Sequence, residues 1–121
     1  MGEAGLMALI RAPDEAIVCS DLRVADRFWP RLKGLLGRRS LEPGEGLLIR
    51  PASSIHMFWM RFAIDAVFLD EHGEIRRIAS DLSPWKMASC RGAREVVELP
   101  AGRAAQLGLQ PGQRLVVRER G

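Results

Sequence analysis

This chain of 121 residues contains only two cysteines and two histidines. Cys19 and Cys90 lie far apart in sequence and form no CxxC pair. A structural zinc ion has four ligands, so such a site would require both cysteines and both histidines to converge. A disulfide is not expected in a reducing compartment, and two separate thiols, at least one of them buried, are the favoured interpretation. The sequence therefore predicts no metal site.

Long apolar runs are also absent. No run approaches the roughly 20 residues that span a bilayer, and the N-terminal GLMALI is too short for the core of a signal peptide. We therefore expect a cytoplasmic protein without a membrane partner. The shares of hydrophobic residues, 47%, and of charged residues, 27%, are typical of soluble globular chains, and the length predicts a single domain over 1–121.

The sequence contains no GxGxxG or GxxxxGK(S/T) phosphate loop, which disfavours nucleotide-dependent chemistry, and no cofactor is expected. The formal charge is +3, and 16 of the 18 basic residues are arginine. These residues are spread along the chain with acidic residues nearby, so nucleic acid is a disfavoured partner. A weak nucleic-acid binder stays an alternative that rests only on the isoelectric point of about 9.5.

Short apolar runs bounded by turn residues predict strands over 6–11, 16–19, 46–49, 55–60, 64–70, 74–79, 93–99 and 114–118. Asp26 as N-cap, Pro30 in the first turn and Gly37 after the last turn predict a helix near 26–36. A short helix is expected at 103–107 and a loop over 81–92. We expect a mainly β (β-rich α+β) domain of about seven to eight short strands, arranged as a sandwich or a closed barrel.

The run 64–69 is apolar on both faces, which predicts a strand in the middle of the fold. Ile64, Ala66 and Phe68 share one face, and Val67 and Leu69 share the other. The polar residues 71–73 that follow predict a tight hairpin turn into the next strand.

Three stretches of this chain are similar to a known family: GLLGRRSLEPGEGLLI, SIHMFWMRFAIDAVFLDEHGEI and VVELPAGRAAQLGLQPGQRL. Their order and spacing resemble the domain of unknown function 192 family over about 24–117. One departure is Gln113, where the family pattern usually has aspartate. The resemblance implies a compact β-rich sandwich or barrel and supplies no reaction.

The segment 49–70 places polar and aromatic side chains in an apolar run, which makes it the strongest candidate for a site. Arg61 and Asp65 flank a bend that a bidentate ion pair would hold closed, with His56 satisfied by a backbone carbonyl. Alternatively, Arg61 faces an anionic group and His56 acts as a donor or base. The sequence leaves both interpretations open.

A serine hydrolase is disfavoured. Ser54 and His56 are two residues apart on one strand face, which does not suit in-line activation of a nucleophile, and no GxSxG elbow is present. Trp85, between Pro84 and Lys86 on an irregular polar segment, is a better recognition signal, although it can equally be a lid over the core.

Three hypotheses follow. The first is a small ligand-binding or interaction module, without chemistry, whose cleft near 55–65 and the Trp85 loop receives a small molecule or a protein. The residues expected to line that cleft are His56, Met60, Arg61, Asp65 and Trp85. The second is a hydrolase- or lyase-type enzyme that uses His56 with Asp65, and the third is the weak nucleic-acid binder.

Overall fold

The structure, a computed structural model, describes residues 7–25 and 40–119. The strands within them are β1 (Met7–Ala12), β2 (Ala16–Ala25), β3 (Glu45–Ile49), β4 (Ser54–His56), β5 (Ile64–Leu69), β6 (Ile75–Leu82), β7 (Met87–Ser89), β8 (Glu95–Pro100) and β9 (Arg114–Glu119). A short helix, α1 (Arg103–Leu107), lies between β8 and β9, where the sequence predicts it. The helix predicted near 26–36 lies outside the described residues.

Seven strands form one mixed sheet in the order β6–β5–β8–β3–β2–β1–β9, and β4 pairs with β7 in a separate two-stranded sheet. Within the main sheet β2 and β3 are parallel and the other neighbours are antiparallel. The edge strands β6 and β9 approach each other where each begins: Glu74, just before β6, forms an isolated β-bridge with Arg114, the first residue of β9. The predicted mainly β fold is confirmed, and the main sheet is not closed as a barrel.

The strand β5 lies between β6 and β8 with all six of its residues buried. Ile64, Ala66 and Phe68 face one apolar cluster, and Val67 and Leu69 face the opposite one, as the alternation predicts. Buried residues of β4 and β7 cover the first cluster, whereas α1 and the strands β1, β2 and β9 enclose the second. Full burial of a large apolar side chain contributes about 1.5–3 kcal/mol, so these two cores hold the layers together.

The hairpin between β5 and β6 has the predicted turn at 71–73. The N–H groups of Glu74 and His72 both donate to Oδ1 of Asp70, at 3.0 and 2.8 Å. These bonds, that of Glu74 most of all, lower the pKa of the Asp70 carboxyl. Gly73 adopts φ 81°, a conformation that favours glycine, and its carbonyl accepts the N–H of Leu115 at 2.9 Å. The tip of the hairpin is therefore tied to β9.

Two predictions around the two-stranded sheet are wrong. The sequence predicts a loop over 81–92, but β7 lies within it and β6 extends to Leu82. The strand predicted over 55–60 ends at His56, because the chain turns and Met60 donates its N–H to the carbonyl of Met57 at 3.2 Å. Both methionines are buried as a result, although strand alternation would place them on opposite faces. The strands β4 and β7 have three residues each, so the alternation of apolar and polar residues that predicts a strand cannot be recognised in them.

Candidate functional site

Two chain reversals lie side by side at one end of the two-stranded sheet. They comprise residues 57–60 and 83–86 and are called the paired turns below. The carbonyl of Met57 accepts the N–H groups of Met60 at 3.2 Å and of Trp85 at 2.8 Å, while the N–H of Met57 donates to the carbonyl of Lys86 at 2.8 Å. The second turn is closed by Lys86, whose N–H donates to the carbonyl of Ser83 at 3.2 Å. The backbone thus joins the two turns into one hydrogen-bonded unit.

Each of the paired turns has a tryptophan at its third position. Trp59 has φ 69° and Trp85 has φ 72°. A positive φ at this position is characteristic of type II turns, which prefer glycine or asparagine there, and Pro84 occupies the second position that such turns favour. A residue other than glycine held in this conformation costs on the order of 1–3 kcal/mol. The same strained arrangement therefore occurs twice, each time with the largest side chain available.

Four aromatic rings of this region contact one another in series. His56 stacks on Phe58 with ring centroids 4.7 Å apart, Phe58 lies 5.9 Å from Trp85, and Trp85 meets Trp59 edge to face at 4.9 Å. Met87 is paired with His56 across the two-stranded sheet. We call these five side chains the aromatic patch.

The aromatic patch is open to solvent. Trp59 and Met87 are each 65% exposed, Trp85 is 55% exposed and Phe58 is 36% exposed. A contiguous exposed group of large apolar side chains, as opposed to single scattered ones, marks an interaction site in soluble proteins. Tryptophan and methionine are also among the residue types enriched in contact surfaces.

The structure separates the five residues that the sequence predicts for the cleft. His56 and Trp85 both belong to the aromatic patch, and Arg61 is exposed directly after the first of the paired turns. Met60 is buried beneath that turn in the first core. Asp65 is fully buried on β5 and faces the opposite core, so it does not reach the patch.

Both carboxylate oxygens of Asp65 accept backbone N–H groups. Oδ1 accepts the N–H of Asp81 at 2.8 Å, and Oδ2 accepts those of Gly102 at 3.1 Å and Ala104 at 2.9 Å. Among the described residues no carboxylate forms an ion pair with Arg61, so the predicted clamp between Arg61 and Asp65 is not formed. A catalytic pair of His56 and Asp65 has no support either, because this carboxylate is sealed away from solvent.

Sequence reasoning did not include Phe58, Trp59 and Met87 among the site residues. Phe58 occupies the second position of the first turn, and Met87 begins β7, a strand that the sequence does not reveal. The signal that was available is Ser83–Pro84–Trp85–Lys86, since proline favours the second position of a turn and this places Trp85 at the third position, on the surface of a turn.

The cysteine thiols and other potential metal ligands do not form a metal centre within the described residues. No group of three or more histidine, cysteine, aspartate or glutamate side chains is arranged there to hold a metal ion. Cys19 and Cys90 are free, and burial raises the pKa of the Cys19 thiol to about 12. Within the same residues no helix has the length and apolar character needed to cross a membrane.

A groove of about 600 Å³ lies away from the aromatic patch, beside α1. It is lined by Pro43 and by residues of the 100–106 segment. Of the described residues that line it, Arg103 carries a charge, and it donates to the carbonyls of Val18 and Ile17 at 3.2 and 3.3 Å and to Gln106 at 2.8 Å. Because that guanidinium is already engaged by protein oxygens, the groove offers a ligand little specific recognition.

Comparison with known proteins assigns the chain to a family. The sequence profile of the DUF192 family, described as an uncharacterized ACR, matches residues 9–117. The chain belongs to the DUF192 family. This DUF192 chain is 33% identical over 102 residues to a UPF0127 protein of Pyrococcus furiosus, in an alignment that covers 78% of this chain and 84% of that protein. It is 30% identical over 86 residues to a UPF0127 protein of Thermococcus sibiricus, covering 67% of this chain and 55% of the other.

Two crystal structures share the fold of this DUF192 chain. A Sinorhizobium meliloti protein described as a proposed transcription regulator has a TM-score of 0.75 and 28% identity, over 92% of this chain and 91% of that one. A protein of unknown function from Novosphingobium aromaticivorans has a TM-score of 0.76 and 21% identity, over 96% and 89% of the two chains. The family and the fold are thereby shown, and neither carries a specific function.

Proposed function

We propose that this single DUF192 domain is a non-catalytic binding module and that the aromatic patch is its contact surface. The observation that carries the proposal is the pair of exposed tryptophans, Trp59 and Trp85, each held at a positive φ. Strained residues that persist in a fold are often part of a functional site, because selection for stability alone would replace them. Glycine at either position would relieve the strain.

The surroundings of the patch support recognition by direct contact. Hydrogen bonds through Met57 hold the paired turns together, so the two indole rings are presented on a preorganised backbone. Preorganised contact groups lose little entropy when a partner binds. In this proposal His56 and Trp85 touch the ligand, Arg61 lies at the rim, and Met60 supports the surface from the first core. Asp65, which faces the opposite core, has no part in binding.

The hydrolase- or lyase-type alternative has less support. It requires an acidic group that orients His56, and the candidate for that role is Asp65. The carboxylate of Asp65 is buried and holds three backbone N–H groups instead. A general base needs its orienting partner within hydrogen-bond reach in an open site.

A thermal-shift screen tests the binding proposal. The native protein and a Trp59→Gly/Trp85→Gly variant are screened against nucleotides, oligosaccharides, short peptides and metal ions. A ligand that binds the folded state raises its melting temperature by mass action. We expect at least one compound that shifts the native protein and leaves the folded variant unchanged. Compounds that shift both proteins equally, or a screen with no shift at all, would contradict the proposal.

We also propose a cytoplasmic location. The free thiols Cys19 and Cys90 support it, because paired cysteines are the usual state in oxidising compartments. Fractionation of cells that produce the protein, with immunodetection in each fraction, checks this location. Recovery in an extracytoplasmic fraction would exclude it.

A further inference from the structure

The two segments that build the paired turns and the two-stranded sheet contain basic residues but no acidic ones. Segments 50–64 and 82–94 hold Arg50, Arg61, Lys86, Arg91 and Arg94, with neither aspartate nor glutamate. The whole chain, by contrast, has 18 basic and 15 acidic residues. Folding brings these two segments together, so a chain of modest net charge acquires one locally cationic surface.

Within residues 7–25 and 40–119, carboxylates pair with only two of the five basic side chains of this surface. Arg50 pairs with Glu95 and Arg94 pairs with Glu71, each at 3.8 Å. For the exposed Arg61, Lys86 and Arg91, the described part of the chain provides no carboxylate partner.

Arg77 of β6 adds a further cation at the Arg91 end of the two-stranded sheet, since its guanidinium donates to the carbonyl of Ser89 on β7, two residues before Arg91. We call Arg61, Arg77, Lys86 and Arg91 the cationic rim. Asp81, the acidic residue that directly precedes segment 82–94, is exposed near the end of β6 and is not a member of the cationic rim.

We infer that the aromatic patch and the cationic rim together bind single-stranded nucleic acid. The inference rests on the proposed binding function and names its partner. Proteins that bind single strands stack bases on aromatic side chains and track the phosphates with lysine and arginine. Both elements occur here on one surface: Trp59 and Trp85 offer exposed ring area, and Lys86 lies in the same turn as Trp85.

Other anionic partners fit the arrangement less well. A membrane-binding surface separates its basic residues from an apolar face, whereas the exposed Lys86 stands in the chain between the exposed Trp85 and Met87. An acidic peptide supplies charge but few planar groups that could stack on four rings in series. A duplex hides the faces of its bases. Four rings offer stacking partners for a small number of bases, so the interaction is expected to be weak and sensitive to salt.

The test measures the fluorescence anisotropy of a labelled oligothymidylate of about 12 nucleotides, a length in the range of one small single-strand site. The purified full chain is titrated at several salt concentrations between about 50 and 200 mM. The native protein should bind, and its tryptophan fluorescence should be quenched as bases stack. Trp59→Ala and Trp85→Ala should each weaken binding about tenfold, within the range measured for base–aromatic stacking.

Charge variants keep the test decisive if a tryptophan variant fails to fold. Lys86→Gln and Arg61→Gln change exposed side chains, and each should reduce the steepness of the plot of log affinity against log salt by about 0.7. Arg114→Gln, on β9 at the other edge of the main sheet, makes the same change in net charge and serves as the matched control. It should leave both affinity and salt dependence near the native values.

Several outcomes would overturn the inference. They are no binding of the oligonucleotide, equal binding of native protein and both charge variants, equal affinity for a duplex of the same length, or binding confined to an acidic peptide or to vesicles that contain phosphatidylserine. A ligand from the thermal-shift screen that requires Trp59 and Trp85, combined with no oligonucleotide binding, would retain the binding module and remove nucleic acid as its partner.

Discussion

The carboxylate of Asp65 accepts the backbone N–H of Ala104 at 2.9 Å, across 39 positions of the chain. It also accepts the N–H of Gly102, so it satisfies two donors at the start of α1, where a helix has no acceptors of its own. The third bond, from Asp81, attaches the end of β6. One buried side chain thus fixes a helix and a strand to the middle of the sheet.

Removal of this carboxylate should destabilise the fold severely. Asp65→Ala leaves three N–H groups without an acceptor, and we expect a loss of about 3 kcal/mol or more in the free energy of unfolding. Asp65→Asn keeps one acceptor oxygen and should lose less. Urea unfolding followed by circular dichroism measures both. The control is Asp81→Asn, since Asp81 contributes only its backbone N–H and should stay within about 0.5 kcal/mol of native. A fully stable Asp65→Ala would contradict this role.

At position 59 the glycine variant should be more stable than the alanine variant. Trp59→Ala removes the ring and keeps the strained φ of 69°, whereas Trp59→Gly removes both. We expect the glycine variant to be more stable than the alanine variant by about 1 kcal/mol. The same pair of substitutions at Met87, equally exposed on β7, should show the ordinary order with alanine ahead. Thermal melts of the four variants make the comparison, and the same order at both sites would refute strain at Trp59.

A methyl group at Gly46 should be poorly tolerated. A Cβ atom there would lie 2.8 Å from Sγ of Cys19, where β3 lies parallel to β2. Gly46→Ala should therefore cost about 1–3 kcal/mol, as overpacking of a core does. Combination with Cys19→Ala should recover part of that loss, because the second change removes the sulfur. A double-mutant cycle in urea measures the coupling, and simple additivity would exclude this contact as the cause.

Alkaline pH should destabilise the protein through Cys19. Burial raises the pKa of this thiol from 9.0 to about 12. Above pH 9 the unfolded chain loses the proton while the folded chain retains it, so stability is fully present below pH 9 and falls as the pH rises toward 12. Unfolding in urea at a series of pH values checks the decline. Cys19→Ala should lack this component, and an equal decline in both proteins would assign it to other groups.

Thiol labelling gives an independent view of the same burial. In the native protein the half-buried Cys90 should react with a disulfide reagent while Cys19 stays protected, and both should react in denaturant. The variant Cys90→Ser should show almost no native reactivity. Rapid labelling of Cys19 in that variant would mean that β2 opens readily.

The elements with a strong local signal were predictable from sequence. The strand 64–69 has apolar residues on both faces, so its central position followed from alternation alone. The hairpin after it followed from Asp70 to Gly73, because turn residues act within a few positions of one another. The family resemblance, spread over most of the chain, agreed with the matched residues 9–117.

The candidate site was predictable only in part. The sequence directed attention to His56, Arg61 and Trp85, but a continuous strand over 55–60 would have placed Phe58 and Trp59 on opposite faces. The turn closed by Met57 and Met60 puts both rings on the surface instead. No local rule requires tryptophan at a positive φ, so this reversal was not visible in the sequence.

What the sequence determined by itself was the β-rich class, the central strand and the family, since each depends on periodicity or on residue order. The tertiary structure alone decided the partners of Asp65, because the backbone N–H groups that donate to its carboxylate lie 16 to 39 residues away. It also decided the cationic surface, because segments 50–64 and 82–94 are separate in the chain and are brought together by the pairing of β4 with β7 and by the paired turns. Hydrogen bonds and electrostatic potentials depend on distance in space, and only folding sets that distance.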